Sequence, residues 1–152
     1  MIGMDILQPL VVLMIWTMIV WVWMYATRIP AMQAHKDIDT ANLVGGTGKD
    51  LDSLLPARVQ WKAHNYNHLH EQPTIFYALV FFAALTGGGD SIFMYLAWAY
   101  VGLRVVHSLV QILSSKVTQR FLVFALSSII LMVMAGKEVI RVLTSSAIGA
   151  LE

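Results

Sequence analysis

From Leu10 to Ala26 the chain reads LVVLMIWTMIVWVWMYA, an apolar run interrupted only by Thr17. Extended back to Leu7, it reaches the roughly 20 mostly apolar residues that a helix needs to cross ~30 Å of hydrocarbon. Backbone placed in lipid must satisfy its own hydrogen bonds, so a single such run has to be helical. Pro9 stands at its start, where a missing N–H costs little, and Arg28 with Pro30 is expected to close it. Met1 to Gln8 carries one charge, Asp5, whose sign is wrong for the n-region of a leader peptide. A retained helix over about 7–27 is therefore expected.

Three further helices follow from the same reasoning. The apolar stretch Thr74–Thr86 is short, but helical patterning continues upstream through Val59, Trp61, Ala63, Tyr66 and Leu69. This predicts a long, half-wet helix over 57–86, bent or interrupted at Pro73 and stopped by Gly87-Gly88-Gly89-Asp90. The third helix covers about 91–114 and the fourth about 118–143. Between the first two lies a polar loop, 28–56. The expected fold is an all-α integral membrane protein, one four-transmembrane-helix domain spanning 1–152.

Composition agrees: 58% of residues are hydrophobic and 12% charged, about half the charge of a soluble domain. The net charge of +1 offers no basic excess for nucleic acid. With no cysteine, the chain has no thiol nucleophile or thiolate metal site of its own. The scarce charge is also unevenly spread. Thr27–Pro73 holds five of the ten cations, five of the nine carboxylates and four of the five histidines. Four spans place the 1–2 loop and the 3–4 turn on one side, with Arg28, Lys36, Lys49, Arg58, Lys62, Lys116 and Arg120; the other side has Lys137 and Arg141. The positive-inside rule then puts both loops in the cytoplasm and both termini outside.

The candidate site lies where this polarity meets the membrane, in Arg58–Pro73, RVQWKAHNYNHLHEQP. On one continuous helix Arg58 and Lys62, His64 and His68, and Asn67 and Glu71 are i, i+4 neighbours. Glu71 at the hydrocarbon edge calls for a cation, and Arg104 inside the third span is the expected partner. An ionised side chain there costs at least ~2.5–3.5 kcal/mol on insertion scales, so it faces the bundle interior. His107 and Gln111 extend the same stripe. The pair can act as interhelical glue or as part of a site. His64, His68 and Glu71 also have metal-ligand spacing, but no HExxH motif is present, and no metal is assigned.

KAHNYNHLHEQPTIFYALVFFAALTG, followed by LAWAYVGLRVVHSLVQ, resembles the MAPEG superfamily, the membrane-associated proteins in eicosanoid and glutathione metabolism. The resemblance covers essentially the whole chain. It implies a homotrimer of four-helix subunits in the lipid bilayer, with glutathione bound between subunits near the cytoplasmic face. It also implies a transferase or peroxidase acting on a hydrophobic electrophile. Carried over by position, Arg28, Arg58, Lys62, His64, Asn67, Glu71, Arg104, His107 and Gln111 would bind glutathione. Arg120 would stabilise its thiolate, since a thiol of pKa near ~8.5 is mostly protonated at neutral pH.

Departures from the family pattern fall on these same contacts. Lys62 stands where the family has Arg, and Lys cannot copy its bidentate fork. Asn67 and Glu71 are four apart rather than three, and alignment on Pro73 would put Tyr66 and Leu69 there instead. Gln111 replaces a tyrosine. The alternative function is therefore a non-catalytic scaffold or accessory subunit of a larger membrane complex.

Overall fold

The computed structural model describes residues 4–35, 38 and 44–149, with side chains as far as Ser145. A turn of 3-10 helix, Met4–Leu7, leads into α1, Gln8–Ala34. The polar segment contains a second such turn, Asp50–Asp52. Then come α2, Ala57–His68, α3, Gln72–Leu85, α4, Ser91–Leu113, and α5, Val117–Gly149. The described residues form no strand. The result is a four-helix bundle whose second member, α2 with α3, is made in two pieces.

Three boundaries differ from the sequence expectation, the simplest being the end of α5, which runs on to Gly149 rather than stopping near 143. Pro30 does not close α1, which runs on to a cap at His35 whose N–H meets Met32 O at 3.2 Å. Proline loses one hydrogen bond and crowds the carbonyl of residue i−4, but its φ stays near the helical value and α1 continues past it. The second helix is not continuous over 57–86. It stops at His68, with the Leu69 and His70 N–H groups bonded back to Asn65 and Asn67 carbonyls, each at 2.9 Å. Glu71, at φ −87° and ψ −98°, breaks the helix. Pro73 then sits in the first turn of α3, where its absent N–H costs nothing. The interruption expected at Pro73 thus falls just upstream of it.

Helices Met4–Ala34, Ser91–Leu113 and Val117–Ser145 are long and apolar enough to cross a bilayer. The 14 residues of α3 extend only about 21 Å at ~1.5 Å per residue. The core is built from Leu13 and Val20 of α1, Phe76 and Val80 of α3, Phe93, Ala97 and Tyr100 of α4, and Leu131 and Met134 of α5. Phe76 stacks on Tyr100 at 4.6 Å. Outward, α1 presents Val11, Ile15, Met18 and Val22, and α5 presents Phe121, Leu126, Ile129 and Met132. Such faces would be unstable in water and suit hydrocarbon.

At the end of the bundle away from α2, the α3–α4 turn is pinned to α5. Asp90 caps α4 by accepting from Phe93 N–H at 2.8 Å and pairs with Lys137 at 3.0 Å. Buried Glu138 accepts from Arg141 Nε and Nη2 at 2.9 and 2.6 Å. Arg141 also donates to the Thr86 carbonyl at 3.0 Å and to the Thr86 hydroxyl.

Candidate functional site

The polar stripe of α4 is buried as its spacing requires: Tyr100, Arg104, His107, Ser108 and Gln111 all face inward. Arg104 is wholly inaccessible. Its guanidinium lies between the rings of Tyr100 (5.7 Å) and Phe124 (5.5 Å). Among the described residues none hydrogen-bonds any of its three nitrogens. The expected Arg104–Glu71 pair is therefore not formed. Glu71 lies beyond the end of α2, its side chain 65% exposed, and its carboxylate stands 3.7 Å from His68 Nε2 instead. The same break removes the helical Asn67–Glu71 neighbour relation.

His68 is the centre of this region. Its ring stacks on His107 at 4.9 Å and 24°, and Phe124 meets the two imidazoles at 5.3 and 6.0 Å. His68, His107, Arg120 and Phe124, with Val117 and Phe121, line a cavity of 190 Å³. Burial pushes the His68 imidazole below its ordinary value. The positive charges of Arg104 and Arg120 act the same way, and Glu71 opposes them. Burial and the neighbouring cations thus favour the neutral ring, the form that can accept a proton.

A second crevice lies on another face of α2. The ends of α1 and the polar segment meet α2 there around 290 Å³, lined by Arg28, Lys49, Asp52, His64, Tyr66 and Asn67 among others. Arg28 Nη2 donates to Gly48 O at 2.7 Å, and His64 Nε2 lies 3.2 Å from Asp52 Oδ1. The Asp50 carboxylate, held below its ordinary pKa by the Thr47 N–H and hydroxyl, braces the preceding loop.

The residues singled out in the sequence thus divide into two groups within one protomer. Arg28, His64 and Asn67 share the second crevice with Lys49 and Asp52. Glu71, Arg104, His107 and Arg120 gather around His68. Gln111 belongs to neither cavity: its Oε1 accepts from Asn65 Nδ2 at 3.0 Å, a buried bond joining α2 to α4. Arg58 and Lys62 line neither. The Lys62 ammonium donates to the Arg58 carbonyl at 2.7 Å. Partial burial, then the Arg58 charge, lowers the Lys62 pKa. His64 and His68, although i, i+4, turn to different partners. Among the described residues no three of His, Asp and Glu gather as a metal site.

Sequence reasoning missed four contributors, the first being His68, which it weighed only as a metal ligand. Asn65 is the fully buried asparagine of α2, whereas Asn67, singled out by analogy, is exposed. Lys49 and Phe124 gave no periodic signal, because one lies in a loop and the other on a helix already crowded with apolar residues.

Four helices, three of them able to cross a bilayer, enclose a cationic, histidine-bearing region beside a polar surface helix. That defines a multi-pass membrane protein with a polar site at one end of its bundle. The MAPEG family model matches residues 6–140, and the chain belongs to the MAPEG family. Members of that family generally use glutathione and typically form trimers in the membrane. No curated protein and no solved structure matches the chain.

Proposed function

We propose that this protein is a glutathione-dependent membrane transferase or peroxidase that acts on a hydrophobic electrophile. The observation that carries the reading is the pair of cation-bearing cavities on different faces of α2. In a trimer, one protomer's Arg28 crevice and its neighbour's His68 cavity would form the two walls of a single intersubunit site. Cations and amide donors suit a tripeptide with two carboxylates. A guanidinium buried without an acceptor, as in Arg104, is costly until an acceptor arrives. When bound, glutathione would supply the nucleophilic sulfur. Arg28, His64 and Asn67 would hold its polar ends, and Arg104 and His107 would add positive and donor character beneath it. Arg120, which lines the His68 cavity, would stabilise negative charge on the sulfur. The seven cations near these loops support a cytoplasmic position for the site by the positive-inside rule.

Equilibrium binding of glutathione to detergent-purified protein tests this. Saturation at millimolar ligand is expected, weakened by Arg28→Ala. No saturation would overturn the reading. One observation favours a second reading, a non-catalytic scaffold. Gln111, where glutathione-using relatives carry tyrosine, is committed to Asn65 and unavailable to a ligand. The scaffold reading predicts co-purification with a larger complex and no conjugation activity for Arg120→Ala to abolish.

A further inference from the structure

Resting on the glutathione reading, we propose that His68 is the proton acceptor of the reaction and Glu71 its positioning residue. Four features of the cavity lead there. His68 is the one imidazole of α2 that lines it, alongside Arg120. Its ring is clamped by the face of His107 and the edge of Phe124, which fixes its plane. Its Nε2 faces the Glu71 carboxylate at 3.7 Å, which leaves Nδ1 without a hydrogen-bond partner among the described residues. Finally, Glu71 follows His68 at i+3 and keeps that contact although the chain leaves helical geometry at 69–71.

Nucleophile, base and orienting carboxylate is the arrangement by which a weak nucleophile is activated. Here the sulfur comes from the ligand and the chain supplies the rest. His68 Nδ1 takes the proton of the S–H bond, and the electron pair stays on sulfur, beside Arg120. The imidazolium so formed is stabilised by Glu71. As the sulfur–carbon bond forms and the carbon–oxygen bond of an epoxide-like electrophile breaks, the imidazolium returns the same proton to the leaving oxygen. No oxidant or further reactant is required. The groups facing His68 are Glu71, Arg104, Arg120 and His107. Arg104 and Arg120 disfavour the imidazolium, and Glu71 favours it.

The test compares wild type, His68→Gln and Glu71→Gln as purified oligomers. Glutathione binding, the ultraviolet absorbance of the bound thiolate without electrophile, and the pH profile of conjugation to an activated aryl chloride are measured. His68→Gln is expected to bind glutathione normally, to lose the thiolate absorbance at neutral pH, and to conjugate about 10²–10⁴-fold more slowly. The deficit should shrink as alkaline pH ionises the thiol unaided. Glu71→Gln should move the acidic limb of the profile to lower pH, because removing the carboxylate makes the imidazolium more acidic. If His68→Gln misfolds, that limb in Glu71→Gln decides, and an unmoved limb overturns the proposal. A wild type that conjugates, with His68→Gln matching it in absorbance and profile, overturns the role of His68 only. A wild type that neither binds nor conjugates overturns the glutathione reading and His68 with it.

Discussion

In the turn between α3 and α4, Gly88 lies directly against the Glu138–Arg141 pair. A Cβ built on Gly88 would stand 2.8 Å from Glu138 Oε2, 2.9 Å from Arg141 Nη2 and 3.0 Å from Glu138 Oε1. Each approach is closer than carbon tolerates. The backbone itself accepts alanine, since Gly88 is not among the positive-φ glycines. Gly88→Ala must therefore push the Glu138–Arg141 pair aside, and Glu138 is 4% exposed. Overpacking of this kind costs about 1–3 kcal/mol, offset by ~0.4–1 kcal/mol from the stiffer unfolded chain, so the net loss centres on about 1.3 kcal/mol. At ~2–4 °C per kcal/mol for a chain of this size, Tm should fall by about 3–5 °C. Thermal unfolding in detergent, followed by circular dichroism, measures it. Gly102→Ala and Gly136→Ala are the controls: both positions are helical with nothing within 4 Å of the new Cβ. Neither should destabilise. In a Glu138→Ala background the Gly88→Ala penalty should fall below about 0.5 kcal/mol, as coupling through a shared contact requires. A penalty of the same size in that background would refute the steric account, as would a Gly88→Ala protein as stable as wild type.

Asp90→Ala removes the cap on α4 together with the Lys137 pair and should cost about 1 kcal/mol, nearly all from the cap. The Phe93 N–H, then Lys137, holds the Asp90 carboxyl below the usual carboxylate range. Its contribution is therefore complete above the unfolded value and is lost as pH falls through the lower folded one. The acid limb of Tm against pH should show a stabilising step in wild type that Asp90→Ala lacks. Gln111→Leu strands Asn65 and should cost about 1–3 kcal/mol, while Asn65→Leu with Gln111→Leu should recover part of that loss in the same melt. Gln72→Ala, which ends the 2.7 Å bond to Ser128 between α3 and α5, should cost about 0.5–2 kcal/mol.

Much of the fold was legible because lipid imposes few solutions. The apolar runs on α1, α4 and α5 specify spanning helices by length and composition alone. The triple glycine with Asp90 marks a turn and a cap. The inward stripe of Arg104, His107 and Gln111 is readable from spacing, since residues three and four apart share a helix face. Partners were less legible. Glu71 and Arg104 are a plausible pair on a continuous helix, and the pair fails because three residues, 69–71, leave helical geometry. That departure is set by Pro73 starting a new helix, and proline in sequence does not say which side of itself the break will take.

By itself, the sequence determines a multi-pass membrane helix bundle and the concentration of charge and histidine in one loop and one surface helix. These are properties of composition and periodicity, which act locally and survive any detail of packing. Only the tertiary structure decided that α2 divides its polar residues between two cavities, that Asn65 rather than Asn67 is the buried asparagine, and that His68 meets both His107 and Glu71. Those relations depend on how α2 is rotated against α4 and α5 and on where its last hydrogen bond falls. A shift of one residue turns a helical side chain by about 100°, so residue spacing along the chain leaves such contacts open until the helices are packed.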